Sequence, residues 1–159
     1  MKYRNETRRQ RHANKHAVAK TFNFIPVCIN FQHEENVAFI IRSAACFGAK
    51  AVAVIGALPT DHRLRTLSGT LNNEIEILQF ANTNKFLEAV RNEQSFLVSL
   101  ELTDKAKNIH DFCFPMNKTV YLLAGHETIG VPAEILHCSD EVVYIPMPGV
   151  GHCLHTSQT

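Results

Sequence analysis

The chain has 159 residues, 45% of them hydrophobic, which is enough for one ordinary domain with a sizeable core and excludes whole-chain disorder. No run of about 18 apolar residues occurs, which excludes a membrane-spanning helix, and the first residues are charged, which argues against a secretory signal. The formal charge of +1 hides an asymmetry: residues 1–20 carry Lys2, Arg4, Arg8, Arg9, Arg11, Lys15 and Lys20 against Glu6, and the rest carries nine Lys/Arg against fourteen Asp/Glu.

Residues 1–21 therefore read as a basic arm ahead of a mildly acidic body at 22–159. Such an arm suits a polyanion, because nothing local neutralises it; the alternative is a solvated tail with no partner. Phe24–Ile29 is predicted as a strand. Glu34–Phe47 is predicted as a helix, since Val37, Phe39, Ile40, Ile41, Ala44, Ala45 and Phe47 recur at helical spacing and Gly48 is a natural stop. Strands follow at Ala51–Ile55 and Glu76–Phe80, with room for a helix between them. Asn84–Asn92 is predicted as a helix, Phe96–Leu100 and Val120–Ala124 as strands, Pro132–His137 as a short helix, and Val142–Ile145 as the last strand. Near-continuous apolar strands alternating with helices predict a parallel sheet covered on both faces, a three-layer α/β fold. A doubly wound domain ordinarily covers its last strand with a helix. After Ile145 this chain has a Gly-, Ser-, Thr- and His-rich stretch and ends at Thr159, so either that helix is missing or the chain is truncated.

The five cysteines, Cys28, Cys46, Cys113, Cys138 and Cys153, are odd in number and contain no C-x-x-C pair. That argues against a disulfide framework and a standard zinc site, and points to a reducing cytoplasm. His152, Cys153 and His155 cluster, but no second ligand group has suitable spacing, so no metal is expected.

In open α/β sheets ligands lie beyond the C-terminal strand ends. Three segments fall there. The first, NVAFIIRSAACFG, sets Asn36 and Arg42 on an otherwise apolar helix. An Arg in such company either snorkels to the helix rim or grips an oxyanion or phosphate. The second, LLAGHETIGVP, ends a strand at Gly125 and then brings Glu127 and Gly130; Glu127 could cap the next helix or orient a ligand group. The third, IPMPGVGHCLHTSQT, has a Gly-x-Gly loop. Leu154 occupies the place of a third glycine and no long helix with an acid follows, which argues against a dinucleotide site.

In this order the three segments resemble the SpoU/TrmH family of RNA ribose 2'-O-methyltransferases of the SPOUT class. The family pattern N-x-G-x-I-x-R-x-A-x-x-F-G is met with Ala38 in place of its glycine. G-x-E-x-x-G is met by Gly125, Glu127 and Gly130. I-P-M-x-G is met, and the following S-L-N is Cys153, Leu154, His155 here. The resemblance covers about residues 22–159. It implies a SPOUT-type fold with a C-terminal trefoil knot, S-adenosylmethionine as cofactor, a homodimer, and tRNA or rRNA as substrate. It further implies cofactor contacts, mostly through main chain, around Leu100, Gly125, Ile145, Met147, Cys153 and Leu154. The catalytic set it implies is Asn36, Arg42 and Glu127, with His155 at the place of the family Asn. The arm residues Arg4, Arg8, Arg9, Arg11 and Lys15 are then expected to bind RNA. The final helix that would complete the knot has no counterpart before Thr159. The expected reaction is in-line methyl transfer to a ribose 2'-hydroxyl, with Arg42 as an electrostatic clamp rather than a base, since a guanidinium stays protonated. The competing expectation is a catalytically impaired RNA-binding relative.

Overall fold

A computed structural model describes residues 2–16, 21–150 and 154–158. In chain order the elements are helix α1 (Lys2–His16), strand β1 (Phe24–Ile29), α2 (Glu34–Phe47), β2 (Ala51–Ile55), α3 (Asp61–Ser68), β3 (Glu76–Phe80), α4 (Thr83–Val90), β4 (Ser95–Leu100), β5 (Lys107–Asn108), β6 (Thr119–Ala124), α5 (Ala133–Cys138) and β7 (Glu141–Tyr144). The strands form one sheet in the order β3-β2-β1-β6-β4-β7-β5, and every pairing is parallel.

Alternation along each strand sends side chains to two covered faces. On one face Ile25, Val27 and Ile29 of β1 and Ala51, Ala53 and Ile55 of β2 pack under Phe86 of α4 and Ile135 of α5. On the other, Cys28, Val52 and Val54 pack under Val37, Ala38, Ile41 and Ala44 of α2 and Leu64 of α3. The far half of that second face, at Val98, Val120 and Val143, is covered by Ile109, Phe112 and Phe114 from the long connection between β4 and β6. Burial from both sides is why all five residues of β2 are buried, whereas β3, the edge strand, keeps two exposed. The result is a three-layer α/β domain.

Four of the expected elements, at Phe24–Ile29, Glu34–Phe47, Ala51–Ile55 and Glu76–Phe80, carry the observed boundaries. The last strand starts and stops one residue earlier than expected, because Glu141 pairs with Val98 of β4. Helix α1 has no apolar stripe and so gave no periodic signal; Arg4, Arg8, Arg9 and Arg11 on it are all exposed. Helix α3 buries only Leu64 and Ser68 and is equally silent in its pattern.

Two features position the site. Strand order turns at β1, which lies between β2 and β6, the kind of switch point beside which open α/β sheets hold their ligands. The three neighbours β6, β4 and β7 then end side by side; the second and third sequence segments follow β6 and β7, and the first follows β1 as α2.

Candidate active site

The loop after β6 is a tight one. His126 and Gly130 exchange backbone hydrogen bonds of 3.1 and 2.9 Å, closing five residues into a small hairpin. Gly130 sits at φ +72, in left-handed space, and a β-carbon on Gly125 would overlap the backbone of Gly130 and Val131. Both glycines are thus required by close packing of the loop on itself.

This hairpin aims Glu127 at the start of α2. Its carboxylate accepts from the Gln32 N–H (2.7 Å), the His33 N–H (3.3 Å) and the Asn36 amide (2.6 Å). The residue at the N-cap, His33, supplies no side-chain cap, so a carboxylate from another part of the chain satisfies donors at the helix entry. The Thr128 hydroxyl adds a bond to the Gln32 side chain. Partial burial pushes the Glu127 pKa up, but the hydrogen bonds from Gln32, Asn36, its own backbone and His33 outweigh it. The carboxyl is held below its ordinary value and is ionised at neutral pH. Asn36 is 2% exposed, and its amide is spent on Glu127. The structure therefore brings Asn36 and Glu127 together, and gives Asn36 a partner in the protein rather than an open face.

Arg42 lies six residues on from Asn36, about 9 Å along α2 at the usual helical rise. It is exposed, makes no hydrogen bond or ion pair among the described residues, and rests against Gly69 at the end of α3. Helix α3 is in turn tied to the first turn of α2 by Arg63, which pairs with Glu34 (3.8 Å) and Glu35. Arg42 thus presents an uncommitted guanidinium from a well-braced surface.

Between α2 and the sheet lies a cavity of about 250 Å³. Its floor is Pro26, Cys28, Leu122 and Ala124, its far wall Leu100, and its near wall Ser43 and Phe47 of α2. Burial, then the neighbouring Glu127 charge, push the Cys28 thiol far up, so it stays protonated and acts as an apolar wall. The tail returns here: a 3₁₀ turn at Thr156–Gln158 brings Ser157 and Gln158 to the cavity edge.

Of the residues expected to hold a cofactor, Leu100 lines the cavity and Gly125 directly follows the lining residue Ala124. Ile145 and Met147 are half-buried in the segment after β7, and Leu154 is partly exposed; none of these three lines the cavity. Cys153, with His152, lies outside the described residues. His155 is engaged locally, its Nδ1 2.9 Å from the Ser157 hydroxyl at the start of the tail's 3₁₀ turn, and is not joined to Glu127 or Arg42 by any hydrogen bond. The side chain of Lys15 is also outside the described residues. No group of three potential metal ligands occurs among those described.

One carboxylate was missed. Glu101, the first residue past β4, accepts from the Val131 N–H at 3.0 Å, bridging the ends of β4 and β6. The available signal was an acid directly after a buried strand, where the chain enters a ligand-facing loop.

A sequence profile of the SpoU rRNA Methylase family matches residues 23–159. A curated mouse (Mus musculus) protein, tRNA (guanosine(18)-2'-O)-methyltransferase TARBP1, is 26% identical over 119 residues, covering 72% of this chain but only 7% of its own length. Among solved structures, the A. aeolicus TrmH/SpoU tRNA modifying enzyme superposes with a TM-score of 0.75 at 21% identity, covering 87% of this chain and 70% of that one. The AdoMet-bound rRNA methyltransferase from Sinorhizobium meliloti gives 0.74 at 21% identity, covering 89% and 54%. At these identities the structural likeness speaks to the fold.

Proposed function

Because the chain belongs to the SpoU rRNA methylase family, we propose that it transfers a methyl group from S-adenosylmethionine to a ribose 2'-hydroxyl of a tRNA or rRNA. The observation that carries this reading is the Glu127 clamp. It joins the glycine-bounded loop after β6 to the helix that bears Asn36 and Arg42, so two of the three sequence motifs form one braced unit.

The cofactor fits the residues present. The ends of β6, β4 and β7 are neighbours, the loops there approach too closely for side chains at Gly125, and the cavity beside them is apolar. Leu100, Gly125, Ile145, Met147, Cys153 and Leu154 would hold the group, largely through main chain, and when bound it supplies a methyl on a sulfonium. The rest falls to this chain. Arg42 offers a permanent positive charge to the oxygen as its proton leaves, or to the adjoining phosphate. Asn36 and Glu127 set the pitch of α2, and hence Arg42, as positioning residues. His155 shapes the tail turn beside the cavity. We place the trefoil knot of the resemblance in this tail, and the protein in a reducing cytoplasm, which suits free thiols at Cys28, Cys46, Cys113 and Cys138.

RNA is held first by the arm. On α1, Arg4, Arg8 and Arg11 recur at i, i+4 and i+7 and so share one stripe of the helix, with Arg9 on another side; Lys15 adds its charge to the same arm. A second copy of the chain completes the site. Phe39, Ser43 and Phe47 form an exposed stripe on α2, with Phe47 80% exposed, directly beside Arg42. Light scattering should give twice the 17.9 kDa chain mass, and Phe39→Asp with Phe47→Asp should return it to a monomer.

The deciding experiment titrates S-adenosylmethionine calorimetrically and follows tritiated methyl into bulk RNA, with nucleoside analysis for ribose methylation. Arg42→Ala should bind the donor as wild type does and lose about 100-fold or more in transfer, the scale of removing one preorganised oxyanion donor. Wild-type protein that binds RNA but neither binds the donor nor transfers methyl would refute the reading and leave a non-catalytic RNA-binding relative.

A further inference from the structure

Glu101 is fixed twice over. Its N–H continues the sheet by donating to the Val143 carbonyl at 2.9 Å, so its backbone belongs to the β4–β7 pair. Its carboxylate turns sideways instead, toward the end of β6. One oxygen accepts from the Val131 N–H at 3.0 Å, the other from the Leu102 N–H at 2.9 Å. The same carboxylate occupies the space where a β-carbon on Gly130 would go, so Gly130 is a glycine for a second reason besides its φ of +72.

The loop at 125–131 is therefore held from two sides by two acids from different elements. Glu127 leaves the loop and grips the start of α2. Glu101 enters from β4 and grips the loop's return at Val131. The first tie sets the loop against the helix that carries Arg42. The second sets it against Leu100, the cavity wall one residue before Glu101. Both Glu101 oxygens are occupied by backbone donors, so its work is done on the loops themselves.

We propose that Glu101 is a positioning residue for the methyl donor: it holds the 125–131 loop at a fixed spacing from the end of β4, so that main-chain groups of both loops meet one ligand. This rests on S-adenosylmethionine being the donor. Removing the carboxylate leaves the Val131 N–H without its acceptor and frees the loop to drift from β4.

The test uses the full chain as wild type, Glu101→Ala and Glu101→Gln. Donor affinity is read by calorimetry with S-adenosylmethionine, loop order by hydrogen exchange at Val131 and Leu102. Glu101→Ala should bind the donor at least tenfold more weakly, with KM for the donor rising in step and kcat at saturation within threefold of wild type. Exchange should quicken at Val131 and Leu102 and stay unchanged in β1 and β2. Glu101→Gln should fall between, because its carbonyl can still accept from Val131 while its NH₂ group faces the Leu102 N–H. Donor affinity within twofold of wild type in Glu101→Ala overturns the proposal. So does faster exchange throughout the sheet, which marks a generally structural residue. If wild type itself gives no binding heat, the donor reading has failed; if wild type binds and the variant binds equally, this inference alone has failed.

Discussion

Glu127 shows how much one side chain can organise when its charge is matched to backbone donors. Its three partners lie at the entry to α2, more than ninety residues earlier in the chain. The hydrogen bonds favour the ionised form, so the folded-state pKa lies below the unfolded one. Stability from such a group is complete above the ordinary carboxylate range and is lost as acid carries the pH down through the depressed value. Urea midpoints of wild type and Glu127→Gln should therefore differ most at pH 6–7 and converge below about pH 4. A constant gap across that range would mean that ionisation is irrelevant to the clamp. Arg42 is the opposite case. It is exposed and unpaired among the described residues, and its loss should leave the urea midpoint nearly unmoved while transfer collapses.

At the scale of elements, α1 and α2 divide the labour. Helix α1 carries an arginine stripe whose described side chains are all exposed, and the proposed RNA contact there is one of charge. Replacing Arg4, Arg8 and Arg11 together with Gln should weaken RNA binding uniformly across sequences. It should also flatten the slope of log affinity against log salt by about two to three, the counterions released by three phosphate contacts. An unchanged slope would remove α1 from the interface. Helix α2 has an inner face that is core, at Val37, Ala38, Ile41 and Ala44, and an exposed flank carrying Phe39, Ser43 and Phe47, the last two of which also border the cavity. In the sequence its heptad-like apolar run and closing Gly48 were enough to fix both ends. Helix α3 was not legible, because its stability comes from one buried leucine and the Arg63 pairs to α2, and neither leaves a periodic trace.

For the whole molecule, the face under α4 and α5 is the mechanical base on which the loops stand. Phe86 is fully buried there and meets Phe80 and Tyr121 edge-on at 5.4 and 5.9 Å. Phe86→Ala should cost about 3–5 kcal/mol of unfolding free energy, measured by urea denaturation; a loss under 1 kcal/mol would show that this layer repacks freely. The sequence by itself determined the α/β class, the parallel strands and the three motif segments, because buried strands and amphipathic helices write their periodicity locally. It also set Asn36, Arg42 and Glu127 apart as residues of unusual type for their surroundings. Only the tertiary structure decided that Asn36 faces Glu127 rather than open space, that Glu101 ties β4 to the loop after β6, and that His155 serves the tail turn. Those are contacts between residues 30 and 91 positions apart, or choices among rotamers and turns, and hydrogen-bond geometry of that kind follows from how the layers pack, which no local pattern encodes.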